Sequence, residues 1–219
     1  MTKQFDAVLI GAGIIGSCTA LELARRGYRT LNIEKLEAAG SGSTSNTCAI
    51  IRLHYSTPQG VAMAREGYFY WIDWPRHLGV ADEAGMAKYV NTGCLVMKTD
   101  KNKHLESVMA CLDELSVVYQ ELDGEGIREK LSYIDTRGYG PPVLSSDARF
   151  GKPARESVAG AVYIPESGFI DDPQLSVHNV QRACEARGGE FLFNAEVVEI
   201  LKRDGRAAGV RLADGSEIH

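Results

Sequence analysis

Residues 6–34 read DAVLIGAGIIGSCTALELARRGYRTLNIE, and this stretch decides the fold. Asp6 to Ile10 is a short run of branched apolar residues, the pattern of a buried parallel strand. Ile14, Ile15, Cys18 and Leu21 then recur at helical spacing until Gly27, a C-cap residue. Arg29 to Ile33 reads as a second strand and closes a β-α-β unit within about 30 residues. Between first strand and helix stands Gly11-Ala12-Gly13-Ile14-Ile15-Gly16, a G-x-G-x-x-G. Gly11 permits a tight turn, Gly13 lets backbone approach a pyrophosphate, and Gly16 lets the helix pack closely on the sheet. The N–H groups around Ile14 and Ile15 add the positive end of the helix dipole. Glu34 ends the second strand, where its carboxylate would accept both hydroxyls of a ribose and repel a 2′-phosphate. A glycine-rich turn with a merely solvated Glu34 is the plainer reading, but strand, helix, second strand and terminal acid all agree on a dinucleotide site.

Outward from this unit, Gly40 to Thr47 is a loop of small polar residues, and Cys48 to His54 turns apolar, with Cys48 expected as a small core residue. Residues 60–78 read as a helix with Tyr68, Trp71 and Ile72 on one face, 89–98 as a strand and 104–122 as an amphipathic helix. Residues 123–156 read as irregular, and the acidic stretch from Glu121 to Glu125 as a solvated loop. A strand is expected over 159–164 and a helix from Pro173, its first residue, to Gly188. Residues 190–193 and 197–202 read as strands, and 207–218 as a hairpin around Asp214-Gly215. The sequence stops inside that hairpin, the end expected of a chain that is truncated, clipped or completed by a second polypeptide.

The charge of −5 across 219 residues offers no general attraction to nucleic acid or anionic lipid. Five scattered cysteines with no C-x-x-C suit a reducing compartment rather than a disulfide or zinc framework. The uncharged stretch from Ala7 to Leu21 is too short to span a bilayer, so a soluble cytoplasmic protein is expected. His77, His104 and His178 have no second ligand at helical spacing, so no metal site is expected. Ser43, Ser45 and Ser56 lack the G-x-S-x-G setting of a hydrolase nucleophile. Trp71, Trp74, Tyr68 and Tyr70 read as packing residues.

The small-residue loop in place of a further β-α unit favours a bulky dinucleotide over NAD. At this point the sequence resembles the D-amino-acid-oxidase-like FAD superfamily. It looks most like the branch of sarcosine oxidases, the sarcosine oxidase β-subunit and dimethylglycine dehydrogenase. The resembling residues are Gly11 to Gly16, Glu34-Lys35, Gly42-Ser43-Thr44, Ile50-Ile51-Arg52 and His54-Tyr55. Asn91 to Leu95, Ala161 to Gly168 and Glu196 to Ile200 extend the likeness along the whole chain, which corresponds to the first half of a typical member.

The resemblance implies an α/β fold: a Rossmann-like, glutathione-reductase-type FAD-binding domain with part of an α+β substrate domain. On it, residues 1–85 are a first FAD-binding segment, 86–158 a substrate-domain segment and 159–219 a returning, incomplete FAD-binding segment. The implied cofactor is FAD. It is bound by Gly11, Gly13, Ile14, Ile15, Gly16, Glu34, Lys35, Gly42, Ser43, Thr44, Ser45 and the backbone near Val198. Ser43 and Thr44 would lie near the pyrophosphate or flavin edge. Arg52 would reach the flavin and the substrate carboxylate as the catalytic residue, with His54 and Tyr55 lining the substrate. Ser45-Asn46 carries no histidine, so no covalent flavin bond is expected in this segment. The implied chemistry is oxidation of a C–N bond of an amine or N-methyl amino acid by hydride transfer to flavin, with a small-molecule substrate and no nucleic-acid or membrane partner. Oxidation of a 2-hydroxy acid or polyol is the alternative within the same fold. A nucleotide-binding subunit, inactive without a partner chain, is the alternative of another class.

Overall fold

The computed structural model describes residues 4–99, 102 and 105–219. In chain order the elements begin with β1 (Ala7–Ile10), α1 (Ile14–Arg25), β2 (Thr30–Ile33), β3 (Ile50–Ile51), α2 (Pro58–Ile72) and α3 (Trp74–Leu78). Next come β4 (Tyr89–Asn91), β5 (Cys94–Met97), α4 (Leu105–Glu114), β6 (Gln120–Leu122) and α5 (Gly124–Lys130). The last are β7 (Ala161–Ile164), β8 (Gly168–Ile170), α6 (Pro173–Glu185), β9 (Glu190–Leu192), β10 (Val197–Arg203), β11 (Arg206–Leu212) and β12 (Glu217–Ile218). Two compact units result, residues 1–50, 70–90 and 169–219 in one and 51–69 with 91–168 in the other. The chain changes unit near 50, 69, 90 and 168. The short strands β3, β8 and β4 pair in the order β3-β8-β4.

In the first unit β1, β2 and β9 form a parallel sheet in the order β1-β2-β9, with Val8 opposite Leu31 and Asn32 opposite Phe191. β2 is buried at every position, as a central parallel strand requires. α1 turns Ser17, Ala20, Leu21 and Ala24 inward at spacings of three and four and packs against α6. β10, β11 and β12 form an antiparallel sheet whose Val210 and Leu212 share a core with Leu31 and Ile33. Asn179 of α6 is fully buried and fully satisfied. It accepts from Trp74 Nε1 and the Ala87 N–H and donates to Asp82 Oδ2 and the Gly85 carbonyl, tying residues 82–87 to the helix.

In the second unit β7 is the middle strand of an antiparallel sheet, β5-β7-β6, which packs on α4 through Val108, Leu112 and Val162. The expected helix over 60–78 breaks at Asp73, because Pro75 in the first turn of α3 has no N–H and its ring opposes a continuing helix. The expected strand over 89–98 is two strands, because the chain bends at Gly93 (φ +70°), where a Cβ would lie 2.3 Å from the Tyr163 hydroxyl. The expected helix over 104–122 ends at Glu114; Ser116 takes φ +53°, and Gln120–Leu122 is instead the edge strand beside β7. His104 lies outside the described residues. The acidic stretch is not a loop: Glu121 pairs in β6, and Asp123 caps α5 by accepting the N–H groups of Glu125 and Gly126. Cys48 is exposed rather than part of the core, since the loop that carries it is held by polar turns and brings no apolar surface over it.

Candidate functional site

The start of α1 differs from the starts of α5 and α6. Asp123 and Asp172 cap those two helices with carboxylates, whereas the N-cap of α1 is Gly13, which has no side chain to offer. One orphan N–H, that of Ile14, meets Thr44 Oγ1 at 3.2 Å. Gly13 itself is extended at φ −75°, a conformation open to any residue, so its lack of a side chain serves space and not backbone freedom. Gly11 does need to be glycine, at φ +103°. Gly16 must be one for contact, since a Cβ there would stand 2.2 Å from the Gly11 carbonyl. Below the turn, buried Asn32 donates from Nδ2 to that same carbonyl at 3.2 Å. Above it opens a cavity of about 410 Å³, lined by Gly11, Gly13, Ile15, Ser43 and Thr44 among others.

Glu34 reaches across this turn. One carboxylate oxygen accepts the Ala12 N–H at 2.9 Å and the other the Leu36 N–H at 3.0 Å. The acid is thus fixed over the glycine turn rather than solvated. The loop of residues 40–47 folds back on the same place: the Gly40 N–H donates to the Ala12 carbonyl, and the Ser45 hydroxyl and Asn46 amide both donate to the Gly42 carbonyl. Gly42 and Ser43 are exposed. Lys35 is exposed too and lines a second cavity of about 570 Å³ with Asn194, Glu196 and Asp214. Val198 is exposed on β10, where the ladder register shifts. All these residues lie in the first unit.

Arg52, His54 and Tyr55 lie together in the second unit. Leu53 between them is fully buried in the core with Val61. The exposed Arg52 guanidinium sits over the Tyr55 ring, 5.1 Å from its centre, and has no carboxylate partner among the described residues. His54 is half-buried, with Nδ1 4.0 Å from the Cys94 thiol. Burial, then the Arg52 charge, holds the His54 imidazole below the ordinary histidine range. Burial pushes the Cys94 thiol up, with Arg52 opposing.

Two residues of these clusters carried no site signal in the sequence. Asn32 was marked only by being polar within an apolar run. Cys94 had no local mark, since its partner His54 is 40 residues away.

The family described as FAD dependent oxidoreductase, DAO, matches residues 6–219. The chain belongs to this family. Peroxisomal sarcosine oxidase of Homo sapiens is 31% identical over 131 residues, 59% of this chain and 32% of that protein. D-amino acid dehydrogenase 2 of Ralstonia nicotianae is 24% identical over 238 residues, 94% of this chain and 56% of that protein. This DAO-family chain thus spans about a quarter to just over half of the length of the curated relatives it matches. Its fold is that of L-proline dehydrogenase from P. horikoshii (TM-score 0.78, 22% identity, 100% of this chain and 51% of that one). Glycine oxidase from Bacillus cereus ATCC 14579 shares it as well (TM-score 0.69, 23% identity, 97% and 52%). FAD is the cofactor of the DAO family. The first unit fits its adenosine diphosphate portion: an uncapped helix start suits two phosphates, and the fixed Glu34 carboxylate suits ribose hydroxyls. Among the described residues, no helix is long and apolar enough to cross a membrane, and no group of three His, Cys, Asp or Glu could hold a metal.

Proposed function

We propose that this chain supplies the FAD-binding unit and part of the substrate-binding unit of an oxidoreductase acting on the C–N bond of an amine or N-methyl amino acid. The carrying observation is Arg52: an exposed guanidinium braced on an aromatic ring, with no acidic partner among the described residues, suits the carboxylate of a small amino acid. In the first unit Gly11, Gly13, Ile14, Ile15 and Gly16 would cradle the pyrophosphate, with Gly42, Ser43, Thr44 and Ser45 beside it. Glu34 would hold the ribose, and Lys35 and the Val198 backbone the adenine. His54 and Tyr55 would line the substrate. FAD supplies the two-electron acceptor, while the protein's part is to bind, orient and exclude water.

Sarcosine oxidase, glycine oxidase and D-amino acid dehydrogenase among the relatives support the amine reading. Glycerol 3-phosphate dehydrogenase of Caloramator mitchellensis, 27% identical over 204 residues, favours the polyol alternative. Anaerobic mixing of the FAD-loaded chain with sarcosine, dimethylglycine, glycine, lactate and glycerol 3-phosphate separates them through flavin bleaching. Bleaching by the N-methylated amino acids supports the proposal; bleaching by lactate or glycerol 3-phosphate alone replaces it with the second. Bleaching by none, restored on adding a second polypeptide, makes the chain a subunit that works only in an assembly.

A further inference from the structure

Resting on the amine reading above, we propose that His54 is a second hydrogen-bond donor beside Arg52 for the substrate carboxylate, with Cys94 as the positioning residue that sets its tautomer. Three observations within the second unit carry this. His54 Nδ1 and Cys94 Sγ are 4.0 Å apart, the reach of a sulfur hydrogen bond. Cys94 sits at the start of β5, paired with Ile164 of β7, and follows the bend at Gly93 that Tyr163 leaves no room to change. Leu53, fully buried, anchors the backbone between Arg52 and His54. The thiol is thus placed by a paired strand, and the imidazole by the buried neighbour next to it in the chain.

The chemistry of the pair sets the direction of the bond. Burial keeps Cys94 a protonated thiol, and an S–H donates better to an imidazole nitrogen than its sulfur accepts from one. Nδ1 then accepts, and the ring proton stands on Nε2. Burial and Arg52 keep the ring neutral, and the Arg52 charge acts on both His54 and Cys94. Arg52 and the neutral His54 together therefore carry a single positive charge and offer N–H donors, which matches one carboxylate. A general base at His54 would need the opposite tautomer.

The test uses the full chain loaded with FAD. Long-range proton–nitrogen spectra of the five histidine rings, recorded at about pH 8 where an ordinary histidine is neutral, report the tautomers. The signal lost in His54→Gln is that of His54. It should show the Nε2–H form, persist in Cys94→Ser and give way to a tautomer mixture in Cys94→Ala. Acetate, and not acetamide, should bind to the wild-type chain. His54→Leu should weaken acetate about tenfold, and His54→Gln, whose amide N–H stands near Nε2, about threefold or less. If His54→Leu fails to fold, His54→Gln and Cys94→Ala carry the test. An Nδ1–H tautomer, no acetate binding by the wild type, or unchanged acetate affinity in the leucine variant overturns the proposal. Tautomer and acetate results as expected, with bleaching by lactate or glycerol 3-phosphate and by no amine, would instead overturn the amine reading and leave this carboxylate site standing.

Discussion

Glu34 accepts one backbone N–H from the nucleotide turn, that of Ala12, and one from Leu36 two residues on, so its charge is placed before any ribose arrives. Removing it takes away charge-assisted hydrogen bonds worth about 1.5–3 kcal/mol. Glu34→Gln should therefore weaken FAD by roughly ten- to a hundredfold, and Glu34→Arg by at least as much. Fluorescence titration of the apo chain measures both, and unchanged affinity would remove Glu34 from the ribose role. Arg52 makes its prediction through the substrate. Arg52→Met should raise KM for a carboxylated amine by about ten- to a hundredfold and leave a simple amine without a carboxylate unaffected. Equal effects on both would mean that the ring-braced guanidinium serves the fold and not the ligand.

The helices divide by how their first turns are satisfied. Asp172 accepts the Leu175 N–H at the start of α6, and losing such a cap costs about 1 kcal/mol, so Asp172→Ala should lower the urea midpoint with FAD affinity intact. α1 reverses this. Gly13 has ordinary extended angles, and Gly13→Asp would supply the missing cap, its Cβ meeting only Thr44 Oγ1 at 3.1 Å. That variant should keep its fold and lose FAD by more than about tenfold, since a carboxylate would occupy the anion position and repel the phosphates. A variant that bound FAD normally would show that the uncapped start has no phosphate role. The elements misread in the sequence have similarly local causes. The 60–78 helix carried apolar periodicity through Pro75, but a proline ring ends a helix whatever the pattern. The 104–122 pattern concealed a strand because pairing with β7, some 40 residues onward, decided the state of Gln120–Leu122.

On acidification His54, His77 and Asp82 act in one direction. His54 and His77 are both held low, by burial first and by Arg52 and Arg25 respectively. Their folded pKa values lie below the unfolded ones, so as pH falls below about 6.5 the unfolded chain takes up more protons and stability drops. Asp82 is pushed up by burial but brought lower overall by bonds from the Ala84 N–H, Asn179 and His178, so its contribution is lost only as pH falls below about 3.8. Thermal melts should therefore lose stability in two stages on acidification, and a midpoint flat from about pH 7 to 5 would contradict the histidine assignment. Ile10 and Ile15, 56% and 82% exposed, flank the nucleotide turn. FAD at about a hundred times its Kd should add about 2.7 kcal/mol, raising the melting midpoint by several degrees, and its removal should reverse the gain.

The β-α-β unit, the dinucleotide turn and the acid that ends β2 were legible in the sequence because each is local: strand period, helix period and glycine spacing all fall within 29 consecutive residues. So were the start of α6 at Asp172-Pro173 and the hairpin of β11 and β12, which depend on their own caps and turns. The Thr44 hydroxyl on the α1 start, the Asn179 network and the Cys94–His54 pair were not, since they join residues 30, 97 and 40 positions apart. No periodicity records such a pairing. Local propensity determines which elements form, while which buried polar groups meet is decided only when those elements pack and each donor must find an acceptor.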